Sequence, residues 1–247
     1  IITKTDAEID LMREPCAIVR DTLAFVGERI SAGMSTKEVD ELVERFIRAA
    51  GAYPSCLGYG GFPASACVSV NEVVVHGIPD DKTILKDGDI VSVDLCAYKN
   101  GFHGDAARTF LIGNVSEEKR LLVERTKECF FKGIENLHAG TPLYDIGYRV
   151  QKYAESFGYG VIRSYTGHGI GREMHEDPAV PNYGRLGTGP RLKANTVICI
   201  EPMISMGNYR VRILDDDWGA VTIDGSPAAH YENTVAVRED GVEILTL

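Results

Sequence analysis

The sequence predicts an α+β fold of two related halves, each running helix, helix and then strands. Two capping boxes near the amino terminus mark the first pair of helices. Apolar spacing marks a second pair near the middle of the chain. β-Branched apolar runs, several of them ending in an acid, follow each pair.

Thr5 and Glu8 have capping-box spacing, so the first helix starts there and runs to about Ala32, with Pro15 inside it and Gly33 ending it. Ser35 and Glu38 form a second box, and the next helix runs to about Ala50 and stops at Gly51. Strands are expected at Cys67–Val75 and Ile90–Tyr98. Helices follow at Glu117–Leu137 and Pro142–Phe157. Strands return near Val161–Tyr165, Thr196–Ile200, Tyr209–Ile213, Ala220–Ile223 and Asn233–Val237.

One spacing recurs between the halves. Ala32-Gly33 and Ala139-Gly140 are 107 residues apart (139 − 32), and so are Gly51 and Gly158, Leu85-Lys86 and Leu192-Lys193, and Asp94 and Glu201. His76-Gly77-Ile78-Pro79 and His175-Glu176-Asp177-Pro178 form a further echo. The whole chain, 1–247, is therefore expected to be a single domain with pseudo-twofold symmetry, its halves spanning roughly 8–112 and 116–240. The paired acids, Asp94 with Glu201 and then Asp105 with Glu232 as a second equivalent pair, and the paired histidines would converge at the junction.

Apolar residues make up 44% and charged residues 25%, an ordinary globular composition, and the net charge of −10 argues against nucleic acid held on a general basic surface. No apolar run approaches a membrane span, and the amino terminus has no signal-peptide pattern. The six cysteines form no Cys-x-x-Cys pair, which suggests a reducing compartment without disulfides.

Five residues carry the chemistry: Asp94, Asp105, His168, Glu201 and Glu232. Asp94 closes the strand run Ile90–Asp94, and Asp105 follows a hairpin signal at Asn100-Gly101. With a two-residue loop, positions 94 and 105 share one face of the hairpin. Taken singly, either aspartate could equally well pair with Arg108 or Lys99 at the surface. His168 is bracketed by Gly167 and Gly169, which permit close backbone approach. Gly-x-Gly-x-Gly here is a weak nucleotide signal, because no βαβ unit frames it. Glu201 and Glu232 each adjoin apolar, strand-like stretches. Four carboxylates and one imidazole suit a pair of divalent ions such as Mn, Fe or Co, ~3.5–4 Å apart, better than a cysteine-bound structural zinc. His76 and His175 could hydrogen-bond a substrate carbonyl or leaving nitrogen. Among the other histidines, His138 ends a helix, His103 sits in the hairpin, and His230 is placed to share a face with Glu232.

Four stretches together resemble type I methionine aminopeptidases, and the resemblance covers nearly the whole chain: Asn71–Pro79, Gly101–Asp105, Gly167–Arg172 and Glu201-Pro202-Met203. It implies a "pita-bread" fold, two helix–helix–strand halves around a curved antiparallel sheet. It implies two divalent ions (Co, Mn, Fe or Zn), held by Asp94, Asp105, His168, Glu201 and Glu232, with Asp105 and Glu232 bridging. It also implies that a hydroxide bridging those ions attacks the scissile carbonyl, with His76 near the amide nitrogen, His175 near the carbonyl, and Glu201 doubling as proton shuttle. The methionine pocket would comprise Cys56, Tyr59, Phe62, Cys67, Met174 and Trp218. Asn71, Val73 and Ala228 match a monovalent-cation loop. Phe62, Met174, Ala228 and His230 depart from the family's common Tyr, Phe, Ser and Gln.

The implied activity is removal of the initiator methionine from nascent polypeptides with a small second residue, by a monomeric cytoplasmic enzyme acting without DNA or membrane, with the ribosome as a candidate partner. The short chain and the lack of a long helical insert between His175 and Glu201 point to the short bacterial type. The rival activities are an Xaa-Pro peptidase, whose usual extra amino-terminal domain has no room here, and a non-catalytic peptide-binding relative, which would tend to lose metal ligands.

Overall fold

The computed structural model describes residues 1–247. Four helices form: α1 (Asp6–Gly27), α2 (Thr36–Ala49), α3 (Glu117–Ile134) and α4 (Tyr144–Glu155). Both predicted capping boxes are present, at Thr5/Glu8 and Ser35/Glu38. α1 ends at Gly27, short of the expected Ala32. There the Arg29 and Ile30 N–H groups both close on the Val26 carbonyl, and the chain leaves to pair with the 83–85 segment through Gly33 N–H to Leu85 O at 2.8 Å. Pro15 is accommodated inside α1.

Each half contributes a long antiparallel hairpin. In the first, strand Ile90–Lys99 pairs with Phe102–Leu111, and Asn100 and Gly101 turn between them at φ 55° and 81°. These are the left-handed angles that a two-residue hairpin loop demands. In the second, Val197–Ile200 and Met203–Ser205 pair with Asn233–Val237 and Ala228–His230 in one continuous register. The predicted strand at Val161–Tyr165 shrinks to Gly160–Val161. Short strands such as Gly167–Gly169 and Glu176–Val180 were not foreseen.

Side-chain alternation divides each hairpin into two faces. Val91, Val93, Leu95, Ala97 and Ala106 pack with Val19, Leu23, Val39 and Val43 of α1 and α2. Ile198, Ile200, Val235 and Val237 pack with Phe130 and Ile146 of α3 and α4. Burying each such side chain contributes ~1.5–3 kcal/mol. The opposite faces, carrying Ser92, Asp94, Asp105 and Cys199, turn toward each other.

The repeat extends to individual hydrogen bonds. Gly33 N–H to Leu85 O (2.8 Å) recurs 107 residues later as Gly140 N–H to Leu192 O (2.8 Å). Thr36 N–H to Thr83 O (3.0 Å) recurs as Leu143 N–H to Pro190 O (2.9 Å). Strand Phe102–Leu111 then meets Ala228–His230 and Asn233–Val237 across the pseudo-twofold axis. The Thr234 hydroxyl accepts from Asp105 N–H (3.1 Å) and donates to Asp105 C=O (2.8 Å). In the same way, the Thr109 hydroxyl accepts from His230 N–H and donates to His230 C=O, both at 2.9 Å. Ser92 stands 2.8 Å from the Thr109 hydroxyl, and its counterpart Cys199 stands 3.7 Å from the Thr234 hydroxyl. Between the two clasps, Glu232 N–H donates to Ala107 O at 3.0 Å.

This register corrects one expectation. Asp94 pairs with Ala107 in the first hairpin, and Glu201 falls opposite Glu232 in the second, so the repeat matches Glu232 to Ala107 and Asp105 to His230. Asp105 and Glu232, expected to be equivalent, are out of step by two residues. The two threonine clasps fix that step.

Thr234→Val and Thr109→Val each strand a buried backbone N–H and C=O. Each is expected to cost about 1–3 kcal/mol in equilibrium urea unfolding, with the slope unchanged.

Candidate metal centre and cleft

Where the two inner faces meet lies a cleft of about 230 Å³. It is lined by all five expected ligand residues, by His76 and His175, and by Cys56, Tyr59, Phe62, Cys67, Met174 and Trp218. Val75, Tyr165, Thr166 and Met203 complete the wall and were not foreseen. They come from loops and short strands whose placement depends on long-range pairing. Asn71, Val73 and Ala228 lie outside the cleft, where Ala228 N–H donates to Asn71 O at 2.9 Å and Val73 pairs with Val221.

Asp94 and Asp105 share the cleft face of their hairpin, as the register predicts. Neither takes up the alternative surface pairing. Lys99 goes to Ala50 O (2.7 Å) and Glu14 (2.8 Å). Arg108 donates to Glu232 O (2.5 Å) and Asn233 Oδ1 (2.7 Å), and its guanidinium lies 4.3 Å from the Tyr231 ring centre.

His168 is aimed by its glycines. A Cβ on Gly167 would lie 2.2 Å from Cys199 O, and one on Gly169 would lie 2.4 Å from Asp177 O, so only glycine lets this strand sit so close. His168 Nδ1 bonds Gly169 O at 2.9 Å. A carbonyl can only accept, so Nδ1 carries the proton and the Nε2 lone pair faces the carboxylates. Nε2 lies 3.8 Å from Asp105 Oδ2 and 3.7 Å from Glu201 Oε1, too far for hydrogen bonds.

His230 is the residue that sequence reasoning undervalued. It is 1% exposed, and neither ring nitrogen has a partner. Its Nε2 lies 3.8 Å from both Glu201 Oε2 and Glu232 Oε2. Its signal was its even spacing from Glu232, which puts both on one strand face.

The electrostatics are those of a site short of positive charge. Burial raises the Asp94 carboxyl from 3.8 to about 7. Burial first, then the neighbouring carboxylates, pushes Asp105, Glu201 and Glu232 well up. Burial, and after it His175, lowers His168 to about 3; burial, then His76 and Arg108, lowers His230 to about 3. These imidazoles are neutral near pH 7 and free to act as ligands. Asp105 Oδ1 and Glu232 Oε1 are buried without any hydrogen-bond partner. Ligand atoms of Asp105, His168 and Glu232, with the Cys199 thiol, lie within 4.8 Å of one another, as do those of Glu201, His230 and Glu232. Burial raises the Cys199 thiol well above its usual range, so it stays protonated and is a poor ligand. Buried carboxylates without partners, beside neutral imidazoles, are a donor set that fits divalent cations.

The two other cleft histidines are held from outside. His175 Nδ1 bonds the Tyr59 hydroxyl at 2.7 Å, and the His175 ring centre lies 4.2 Å from that of His168. The adjoining Glu176 is pinned by Lys4 at 2.5 Å in a nearly dry ion pair. His76 sits at φ 59°, a left-handed conformation uncommon outside glycine, and meets Tyr165 edge-on at 5.2 Å.

Such a carboxylate–imidazole cluster beneath an apolar cleft defines a class, the metal-dependent hydrolases. The chain matches metallopeptidase family M24 over residues 10–239 and belongs to that family. It is 55% identical to the methionine aminopeptidase of Clostridium acetobutylicum over 247 residues, covering 100% of this chain and 99% of that one. It is 47% identical to methionine aminopeptidase 1 of Bacillus subtilis, at 100% and 99% coverage. The solved methionine aminopeptidase of Rickettsia prowazekii superposes with a TM-score of 0.98 at 41% identity, covering all of both chains. The prolidase of Pyrococcus furiosus shares the fold at a TM-score of 0.79 and 26% identity, with 65% of that chain covered.

The raised carboxyls set the pH behaviour of metal-free protein. A folded pKa above its unfolded value contributes stability that is full below the unfolded pKa and is lost as pH rises through the folded one. Asp94's own contribution should therefore fall as pH rises from about 4 to about 7, read as the difference in thermal midpoint between metal-free wild type and Asp94→Asn, a comparison that cancels the opposite contribution of His168 and His230, whose lowered pKa adds stability as pH rises from about 3 to about 6.5. Mn or Co at a hundredfold excess over its dissociation constant should restore about 2.7 kcal/mol, roughly 5–10 °C for this chain length. Calorimetric scans at stepped pH, with and without the ion, check both.

Proposed function

We propose that the chain removes the initiator methionine from polypeptides whose second residue is small. The observation that carries this reading is the adjacency of two environments in one cleft. A wall of sulfur and aromatic groups stands directly beside the carboxylate–imidazole floor. Cys56, Cys67 and Met174 with Tyr59, Phe62 and Trp218 suit an unbranched thioether. Phe62 and Trp218 meet edge-on at 5.1 Å and give that wall a fixed shape. The cleft is smaller than the common range for drug-sized ligands, which suits one side chain and the bond behind it.

In the proposed mechanism Asp94, Asp105, His168, Glu201 and Glu232 would hold two divalent ions. Ions bound there supply Lewis acidity and bring the pKa of a water molecule toward neutrality. The chain's own groups do the rest. The thioether pocket orients the substrate and fixes which bond lies over the floor. His175, held by Tyr59, donates to the scissile carbonyl oxygen as negative charge builds there. His76 bonds the amide nitrogen. Glu201, whose carboxyl burial pushes up, takes a proton and returns it to that nitrogen as it leaves.

The substrate would be the amino terminus of a nascent chain, met by a monomer in the cytoplasm, near the ribosome. Six unpaired cysteines suit a reducing compartment. No helix is long and apolar enough to cross a membrane.

Metal-stripped protein incubated with Met-Ala-Ser should release methionine only after Mn or Co is added, and should leave Ala-Pro-Ala intact. Proline-dependent release instead would favour an Xaa-Pro peptidase. Glu201→Ala should abolish turnover, and His175→Ala should lower kcat by about 10²–10⁴ with a smaller change in KM.

A further inference from the structure

His230 stands in the second half where Asp105 stands in the first. The same threonine clasp holds the backbone of each: Thr234 on Asp105, Thr109 on His230. Side chains at matched positions of two symmetric hairpins project toward the same axis. Asp105 lines the floor of the cleft, and His230 lies just beneath it, its Nε2 beside Glu201 and Glu232, which do line it.

Three observations say what His230 does there. Both of its ring nitrogens are buried and unpartnered. An imidazole kept for packing would not bring two stranded polar atoms into a carboxylate cluster. Its Nε2 is equidistant, at 3.8 Å, from Glu201 Oε2 and Glu232 Oε2. That is too long for a hydrogen bond. It matches the spacing of His168 Nε2 to its own two carboxylates, 3.8 and 3.7 Å. Two donor atoms on one ion, each bonded at ~2.0–2.2 Å, stand roughly 3–4 Å apart. Finally, Glu201, His230 and Glu232 form a compact donor set that shares only Glu232 with the set of Asp105 and His168.

We propose that His230 is a metal ligand, binding through Nε2 an ion it shares with Glu201 and Glu232. The inference rests on the metal-centre reading above and adds a second imidazole to it. The floor then carries one histidine from each side of Glu201: His168 facing Oε1, His230 facing Oε2.

The test is titration of metal-stripped protein with cobalt(II) chloride, followed by calorimetry and by proton NMR of hyperfine-shifted imidazole N–H resonances. Wild type should show two such resonances. His230→Gln should remove one of them and weaken at least one binding event tenfold or more. A single shifted resonance in wild type, or two that survive in His230→Gln, overturns the assignment even if both ions bind. That outcome leaves the metal centre standing. Absence of any cobalt binding by wild type overturns the metal centre and this inference together. The wild-type resonance count decides the matter should the variant fail to fold.

Discussion

Four carboxylates converge where two half-sheets meet, and their mutual repulsion is the constraint around which the chain is organised. Asp94 and Asp105 are carried on strands, and Glu201 and Glu232 directly adjoin strands, whose opposite faces pack against helices, so none can swing out to water without tearing a core. Asp94 and Asp105 ride on the face opposite Val93 and Ala106, and Glu201 follows Ile198 and Ile200. Isolated buried charges of this kind cost several kcal/mol each. Arg108 is committed to the Glu232 carbonyl and Asn233 and forms no ion pair with any of the four carboxylates. The protein thus holds a deficit of positive charge in place, which is what a site for divalent cations requires before any ion arrives.

Symmetry supplies the placement, and its breaks supply the chemistry. The hydrogen bonds at the outer ends of the hairpins repeat from half to half, so the two inner faces meet with a common axis. Near that axis the side chains differ: Ala107 against Glu232, Asp105 against His230, Asp94 against Glu201. His168, from a third strand, is therefore not alone in making the floor unequal. The sulfur–aromatic wall breaks the symmetry further. Its aromatic members Tyr59 and Phe62 come from the first half and Trp218 from the second.

Much of this was legible in the sequence. Asn100-Gly101 announced a two-residue turn, and that alone placed Asp94 and Asp105 on one face. The 107-residue spacing announced the repeat, and Gly167 and Gly169 announced a close backbone approach. What was not legible depended on pairing between distant segments. The strands at 167–169 and 176–180 are too short to have a periodicity of their own. α1 ends at Gly27, where the Arg29 and Ile30 N–H groups close on the Val26 carbonyl, before the chain reaches Gly33. The equivalence of Asp105 and His230 is invisible without the register, because the chain between the paired strands differs in length, Asn100-Gly101 in the first hairpin and 206–227 in the second. His230 therefore read as a bystander two residues from an acid, when its fold position is that of a central donor.

The central claim is that this carboxylate–imidazole floor is a cation site. Anomalous diffraction from crystals soaked in a manganese salt tests it most directly. The account predicts anomalous density among Asp105, His168, Glu201, His230 and Glu232, at the base of the cleft. Density confined to surface acids, with an empty floor and carboxylates bonded to one another through protons, would contradict it.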